Sequence, residues 1–425
     1  MALEVLQNGQ LLSPQELQPP TNRVIVTHQH PDMDAITAAW AMRMVPGWEQ
    51  TPIAFVPAGS RQHGKSVKDI VGPRDFANAV YTSRKTGKQY AVLDTGHTAF
   101  DHHQPGFDDP TTSAARLVCE YKQLLDPDFR DSAVGHAVRE IVRYAIDVDN
   151  LQHVYWDHLA SQDHEFTLYQ VIDGMRHLHD DDGAYAEDVM HMLDGLVFSQ
   201  IGNEDANFNF ENLVNLWEQR GYDKSHPLAH QAAAKIRTYL LSENTDRDIF
   251  SLKHVLRGIA GMVGSTDNYV IANWLGMNIL DGLFLLFVED VLPAEEALSQ
   301  AESFMTQSGK RAICLNVVSP TAERLAYVGG NDVVMSLGRW DNKLYAKVGL
   351  APHQAHRQRR DNHSLARFNT ALRQVDPALQ IATCPEDVWF AHPRGMITTN
   401  LPHQRKRIPT GLTPEELIAL VREYV

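Results

Sequence analysis

The chain has few cysteines and lacks a recognisable export signal. Three of its 425 residues are cysteines, Cys119, Cys314 and Cys384, and they are widely spaced with no CxxC pair. This pattern predicts no disulfide framework and favours a reducing compartment. The N-terminus has no basic segment followed by an apolar stretch, so no secretory signal is predicted. We therefore expect a cytoplasmic protein.

The chain also lacks an excess of positive charge. It has 38 Lys and Arg against 53 Asp and Glu, a net charge of −15. This charge argues against a broadly basic surface that coats nucleic acid, while a local basic channel stays open. The most apolar stretch, residues 269–288, contains Asn273, Asn278 and Asp281. These polar residues favour a buried helix over a membrane span, so no membrane partner is expected.

The first part of the chain has a strand–turn–helix pattern. A β-branched run at residues 23–26 predicts a buried strand, an acidic turn follows at 27–34, and a helix rich in Ala and Met is predicted over 35–44. Further strands are predicted at 53–56 and 90–94. Side chains at the carboxyl ends of such strands lie where open α/β sheets bind their ligands.

The pattern of apolar residues changes from helix-like to strand-like near residue 308. Before it, helices are predicted at 114–125, where residues 110–113 form the cap, and at 131–146. Much of a polar stretch at 151–250, which has no HExxH pair, is also predicted to be helical, and two more helices are predicted within 268–307. After it, strand-like apolar runs occur at 312–318, 325–328, 333–337 and 344–348. Helices are predicted at 363–374 and at 413–424, the latter beginning with the capping pattern Thr-Pro-Glu-Glu at 413–416.

A chain of this length is expected to form two domains. The predicted fold class is α/β, with a parallel-sheet N-terminal domain over residues 1–307 that carries a helical insertion at 151–307. A smaller C-terminal α/β domain is predicted over residues 308–425.

Histidines and aspartates gather in four groups near the ends of predicted strands and helices. The groups are His28 with Asp32 and Asp34; Asp94; Asp101 with His102 and His103; and Asp147 with Asp149. Each group alone has a simpler explanation, because a PDxD turn can be a helix N-cap, DHH a solvated loop and DxDN a helix C-cap. Their occurrence together favours a metal site.

The spacing of these residues suits two metals. Asp32 and Asp34 are two residues apart, so in an extended turn they can face two neighbouring ions. His28 can share one ion with Asp32, and Asp94 from another strand could bridge both. Sites of this layout hold ions about 3.5–4 Å apart and activate water. Mixed histidine and carboxylate ligation suits Mn²⁺, with Mg²⁺, Co²⁺ and Zn²⁺ as alternatives.

The order of these motifs resembles the DHH phosphoesterase superfamily, which includes RecJ-type exonucleases, oligoribonucleases and family II inorganic pyrophosphatases. In finer detail the chain resembles the Myg exonuclease family. The similar segments are Asp-Thr-Gly at 94–96, Asp-His-His-Gln at 101–104, Ser-Ala-Ala-Arg-Leu-Val at 113–118, Ile-Asp-Val-Asp-Asn at 146–150 and Phe-Ala-His-Pro-Arg-Gly-Met at 390–396. The chain departs from the family in having Leu151 in place of a glycine, and it has no Gly-Gly-Gly-His motif.

The resemblance implies a role for each motif residue. His28, Asp32 and Asp94 would hold one metal. Asp34, Asp94, His102 and Asp149 would hold the other, with Asp94 bridging. His103 would face the scissile phosphate, and Asp101 would orient a histidine. Asp149 is preferred over Asp147 because Asn150 follows it, as in the family motif.

The predicted second domain would supply phosphate contacts. Its candidates are Arg357, Arg359, Arg360, His363, His392, Arg394, Arg405, Lys406 and Arg407. Of these, His392, Arg394 and Arg360 are selected, with Arg394 favoured because it lies beside His392. The alternative is that the basic runs are solvated surface charge.

The predicted function is a metal-dependent phosphoesterase that hydrolyses phosphodiester bonds of RNA, DNA or short oligonucleotides by two-metal activation of water, with an exonuclease mode as one option. Two alternatives stay open: a hydrolase of small phosphoanhydrides or cyclic nucleotides, and a non-catalytic nucleotide sensor. The predicted partner is a nucleic acid or nucleotide, and homo-oligomerisation is left open.

Overall fold

The computed structural model describes most of the chain. The described residues are 6–7, 10–11, 22–57, 79–83, 87–96, 98–102, 111–150, 152–155, 164–242, 249–263, 269–351, 365–382, 388–391, 397–401 and 408–425. The chain divides into two compact units. The first comprises Met1–Asn150, Phe166–Arg220 and Leu240–Gly282, and the second comprises Leu151–Glu165, Gly221–Tyr239 and Leu283–Val425.

The first unit contains a four-stranded sheet that places the carboxyl ends of two strands side by side. After a short antiparallel ribbon of β1 (Leu6–Gln7) and β2 (Gln10–Leu11), the sheet strands are β3 (Arg23–His28), β4 (Ile53–Val56), β5 (Val80–Thr82) and β6 (Gln89–Val92). Their order is β4-β3-β6-β5. The predicted parallel pairing is confirmed for β3 with β4 and with β6, whereas β5 pairs antiparallel at the edge.

Helices surround this sheet. Those within the first unit are α1 (Met33–Arg43), α2 (Ala114–Leu125), α3 (Pro127–Asp131), α4 (Ala133–Asp149), α5 (Leu168–Leu178), α6 (Asp182–Gln200), α7 (Phe210–Arg220) and α9 (Leu252–Val263). Two more, α8 (Ala229–Leu241) and α10 (Tyr269–Leu286), run across the division between the units. The Ser113 side chain caps α2 by accepting from the Arg116 N–H, as the sequence predicted.

The predicted helix at 131–146 has different bounds in the structure. Ser132 has an extended backbone, and its side chain accepts from the N–H of Gly135, so α4 begins after it. The helix continues to Asp149 before Asn150 ends it. Asp147 and Asp149 therefore lie on the last turn of a helix rather than in a loop that follows it.

Two glycines allow α6 and α9 to approach closely. A Cβ atom at Gly258 would lie 1.7 Å from the carbonyl oxygen of Gly195. Because no side chain fits at that distance, glycine at position 258 is required for this packing. The contact buries Leu196 and Ile259 beside it.

The apolar segment near residue 280 is helical. Among the described residues, the run Val270–Ser299 is the one that is long and apolar enough to cross a bilayer, and 56% of its most apolar window is buried in the protein. Asp281 within it accepts a 2.8 Å hydrogen bond from the indole N–H of Trp217. A half-buried carboxylate that is hydrogen-bonded within the protein is common on a helix that packs against other helices. That this segment does not span a membrane stays a prediction.

The second unit contains a mixed six-stranded sheet. Its strands are β7 (Glu302–Met305), β8 (Arg311–Leu315), β9 (Val333–Trp340), β10 (Lys343–Leu350), β11 (Phe390–Ala391) and β12 (Ile397–Thr399), in the order β11-β12-β10-β9-β8-β7. Only β8 and β9 pair in parallel among these described strands. The helices are α11 (Leu292–Ser299), which follows a π turn, α12 (Pro320–Val328), α13 (Ala366–Val375), α14 (Pro377–Ile381) and α15 (Pro414–Tyr424).

Two predictions in this unit were wrong. The apolar run at 325–328 is the end of α12 rather than a strand, because the Ser319 side chain caps a helix that starts at Pro320. The segment 302–305 is a strand rather than part of a helix, because it pairs with β8. The predicted capping box of the last helix is confirmed, with Thr413 and Glu416 bonded reciprocally.

Candidate metal centre

The first predicted metal motif lies where β3 passes into α1. His28 is the last residue of β3, and Asp32 is the N-cap of α1, where its Oδ1 accepts from the N–H of Ala35 at 3.0 Å. Asp34 lies in the first turn of α1 and is 1% exposed. The strand, the cap and the helix thus direct three side chains to one end of the sheet.

Asp94 lies between two histidines. It follows β6 with a φ of +51°, a left-handed conformation that aspartate adopts more readily than most residues. Its Oδ2 is 3.3 Å from Nε2 of His28, and its Oδ1 is 3.4 Å from Nε2 of His102. The two oxygens of one carboxylate therefore face different imidazoles.

His102 is surrounded by carboxylates. Its Nε2 lies 3.4 Å from Asp94, 3.6 Å from Oδ2 of Asp149 and 3.8 Å from Oδ2 of Asp34. Ligand atoms held about 2.1 Å from a common ion are roughly 3.0–3.5 Å apart, which is longer than an ordinary hydrogen bond. The spacing around His102 is close to that of atoms that share a cation.

Asp34 also joins two helices. Its Oδ2 accepts from the N–H of Ala114 at 2.8 Å, and its Oδ1 accepts from the N–H of Ala115 at 3.0 Å. These groups open α2, where the helix dipole favours negative charge. The contact fixes the Asp34 carboxylate against a second helix and orients both of its oxygens.

The carboxylates of this centre outnumber its histidines. Burial, followed by the carboxylates of Asp94, Asp149 and Asp32, raises the pKa of Asp34 well above its usual range, although His102 opposes this shift. Closely spaced carboxylates of this kind are the environment in which a divalent cation lowers the electrostatic energy.

His28 shows the complementary shift. Burial favours its neutral form, but the hydrogen bond to Asp94 and the charge of Asp32 outweigh burial and raise the pKa of His28 to about 9. Its Nδ1 lies 2.9 Å from the carbonyl oxygen of Gln29. When Nδ1–H donates to that oxygen, Nε2 is the atom left to bind a metal.

The donor atoms fit two divalent ions. His28, Asp32 and Asp94 form one group, and Asp34, Asp94 and His102 form another, each with donor atoms within 4.8 Å of one another. The groups share Asp94, and all donors are imidazole nitrogens or carboxylate oxygens. This set suits Mn²⁺, Zn²⁺, Co²⁺ or Mg²⁺ better than a metal that requires thiolates.

The structure brings together all six predicted metal ligands, although their ligand role stays a prediction. Asp149 lies at the rim, with a 3.6 Å distance to His102, and Asp147 lies on the same last turn of α4; both are half-buried, and the preference for Asp149 stays a prediction. Asp101 is 2% exposed beside His102, and its orienting role also stays a prediction. His103 and the proposed substrate residues Arg360, His392 and Arg394 lie outside the described residues.

Two side chains of the helical insertion that contact this centre were not predicted from the sequence. Arg176 of α5 and Asp182 of α6 bond to the backbone of the His28–Asp32 turn. No local signal marks them, because the bonded residues are 145 and 152 positions apart in the chain.

Comparison with known proteins adds weak overall similarities. No protein-family model matches the chain, and no curated protein matches it. A solved pGpG-specific phosphodiesterase from Vibrio cholerae, PggH, is 13% identical and matches 89% of this chain and 92% of its own, with a TM-score of 0.37. The DHH domain of a member of the S1p family of ribosomal proteins is also 13% identical, with 94% and 85% coverage and a TM-score of 0.37.

A third similar structure is CDC45 from Entamoeba histolytica. It is 10% identical and has a TM-score of 0.30, with 94% of this chain and 93% of that chain covered. At these TM-scores the similarity is too weak to assign a family. The functional proposal therefore depends on the residues of the centre.

Proposed function

We propose that the chain is a metal-dependent phosphoesterase of the DHH type that resembles the Myg exonuclease family. The observation that carries the proposal is the position of Asp94, whose two oxygens face His28 and His102 and are shared by two donor groups. A carboxylate in this position is what a two-metal hydrolase needs.

The roles of the chain's residues follow from their contacts. Bound divalent ions would supply an activated water and neutralise charge on the phosphoryl group. Asp94 would hold His28 and His102 at a fixed separation. Asp34 would stay oriented because the N-terminus of α2 binds both of its oxygens. We assign to His103 the contact with the scissile phosphate, as the resemblance implies.

The proposed substrate is a phosphodiester of RNA, DNA or a short oligonucleotide, and the proposed metal is Mn²⁺. We place the enzyme in the cytoplasm, acting on a nucleotide partner and not on a membrane. A second candidate is a small phosphoanhydride or cyclic dinucleotide. The net charge of −15 favours this second candidate, because a long polyanion gains affinity chiefly from basic surface.

The test compares Asp94→Asn with the wild-type protein under Mn²⁺. The wild type is expected to hydrolyse a labelled oligonucleotide. The variant is expected to do so more than about 100-fold more slowly, because the negative charge of the carboxylate shared by both donor groups is removed. Asp128→Asn, a change of an exposed aspartate in the same unit, serves as the control and should retain the rate.

The products identify the substrate class. Release of mononucleotides supports the nuclease, whereas release of phosphate from pyrophosphate supports the second candidate. Full activity of Asp94→Asn would contradict the mechanism. Mn²⁺ binding by the wild type without hydrolysis of any of these phosphoesters would favour the nucleotide sensor.

A further inference from the structure

Two side chains of the helical region bind the turn that carries His28 and Asp32. The Asp182 carboxylate accepts from the backbone N–H of His30 at 3.0 Å. Arg176 donates to the carbonyl oxygen of Pro31 at 2.7 Å. These bonds anchor His30 and Pro31, two of the three residues that lie between His28 and Asp32.

Arg176 and Asp182 are themselves paired and supported. The Nη1 atom of Arg176 donates to Oδ1 of Asp182 at 2.8 Å, and both side chains are mostly buried. The guanidinium also lies over the ring of Tyr185, 3.7 Å from its centre. One ion pair from α5 and α6 thus holds the backbone of two consecutive residues, through the His30 N–H and the Pro31 carbonyl oxygen, by charge-assisted hydrogen bonds.

The turn needs an external restraint. His30 has a φ of +51°, in the left-handed region that most side chains avoid. Its own side chain is 86% exposed, and its Nδ1 lies 3.8 Å from Oδ1 of Asp182, which is longer than a hydrogen bond. A strained backbone of this kind persists when surrounding contacts over-determine it, and the bonds from Asp182 and Arg176 meet that need.

We propose that Arg176 and Asp182 are positioning residues that preorganise the turn for metal binding at the group of His28, Asp32 and Asp94. This inference rests on the proposed function and gives a role to a helical region that the sequence left unassigned. Contacts that orient ligands commonly change metal affinity by about 10–100-fold when removed.

The geometry also predicts which metal is affected. Asp34 is held from the opposite side by the N–H groups of Ala114 and Ala115, independently of the Arg176–Asp182 pair. Loss of the pair should therefore lower the affinity for the ion that His28 and Asp32 would hold. The affinity for the ion that Asp34 and His102 would hold should change little.

The experiment is a Mn²⁺ titration of the full chain followed by electron paramagnetic resonance, with the two binding events assigned by His28→Gln and His102→Gln. Arg176→Ala and Asp182→Ala are expected to lower the Mn²⁺ affinity of the binding event that His28→Gln removes by at least about tenfold. The affinity of the other binding event should change by less than about threefold. Arg176→Lys and Asp182→Asn, which each keep part of the hydrogen bonding, should give intermediate losses.

Two controls separate positioning from general destabilisation. Glu187→Gln weakens a comparable bidentate pair, in which Arg43 binds Glu187 at 2.6 and 2.8 Å and links α1 to the same helix α6 without touching the turn. It should leave both affinities unchanged. His30→Asn should also shift them by less than about threefold, because asparagine tolerates the left-handed conformation and only the 3.8 Å contact between the imidazole and Asp182 is lost.

The outcomes are distinguishable. The positioning role alone would be overturned if Arg176→Ala and Asp182→Ala both bound Mn²⁺ with wild-type affinities. It would also be overturned if they lost affinity equally at both sites and Glu187→Gln lost it in the same way. Absence of Mn²⁺ binding in the wild type would overturn the proposed function together with this inference.

Discussion

Single residues at the centre combine backbone conformation with charge. His30 and Asp94 have positive φ angles of +51°, and histidine and aspartate are among the residues that tolerate this region. At Asp94 this conformation accompanies a carboxylate that faces both His28 and His102. The spacing of aspartates in the sequence suggested a bridge, but the backbone geometry that permits it is visible only in the structure.

Metal binding should depend on pH through His28. The raised pKa of about 9 means that this imidazole is protonated at neutral pH without metal. A metal must displace that proton, so the apparent affinity of the His28 group should rise about tenfold per pH unit up to pH 9. Mn²⁺ titrations between pH 6.5 and 8.5 would measure the slope, and His28→Gln should flatten it. A wild-type slope of zero would contradict the assignment.

Individual elements are stabilised by buried carboxylates as well as by apolar packing. Asp376, which lies between α13 and α14, is 0% exposed. Its oxygens accept from the backbone N–H groups of Ala378 and Gly411, the indole of Trp389 and the hydroxyl of Thr410. One side chain thus joins four separate positions of the second unit.

Replacement of Asp376 should destabilise this unit strongly. Asp376→Ala leaves four donors without their acceptor, and we expect a loss on the order of 3–5 kcal/mol in the free energy of unfolding. Thr410→Val removes one of these donors and also the acceptor of the Leu412 N–H, and it should cost roughly 1–2 kcal/mol. Chemical denaturation of both variants checks the order. Equal losses would mean that the Asp376 network contributes no more than the Thr410 hydroxyl alone.

Elements also show where sequence patterns were sufficient. Ser113 and Thr413 are followed by helices with the predicted starts, because a capping side chain and its bonded N–H are only three residues apart. The run at 325–328 was misassigned because a short apolar segment has no distinct period. Its helical cap, Ser319, lies several residues upstream.

At the scale of the whole molecule, all six proposed ligands belong to the first compact unit. A ligand that binds only the folded state stabilises it, by about 2.7 kcal/mol at a concentration 100 times its dissociation constant. Mn²⁺ should therefore raise the melting temperature of the chain. Asp94→Asn removes the carboxylate that both donor groups share and should abolish most of that rise.

Calorimetry with excess Mn²⁺ and with a chelator would show this difference. Asp128→Asn, which changes an exposed aspartate of the first unit, should keep the wild-type shift. A metal-induced shift of wild-type size in Asp94→Asn would contradict the location of the centre.

The sequence by itself determined the strands β3, β4, β6, β8, β9 and β10, many of the helices and the identity of the clustered His and Asp residues, because these depend on side-chain type and on spacing within a few residues. Only the tertiary structure decided that Asp94 faces two histidines and that α2 binds Asp34. It also decided that Arg176 and Asp182 bind the backbone of the turn between His28 and Asp32. Those contacts join residues up to 152 positions apart. They arise from how helices pack on the sheet, and local sequence carries no signal for that packing.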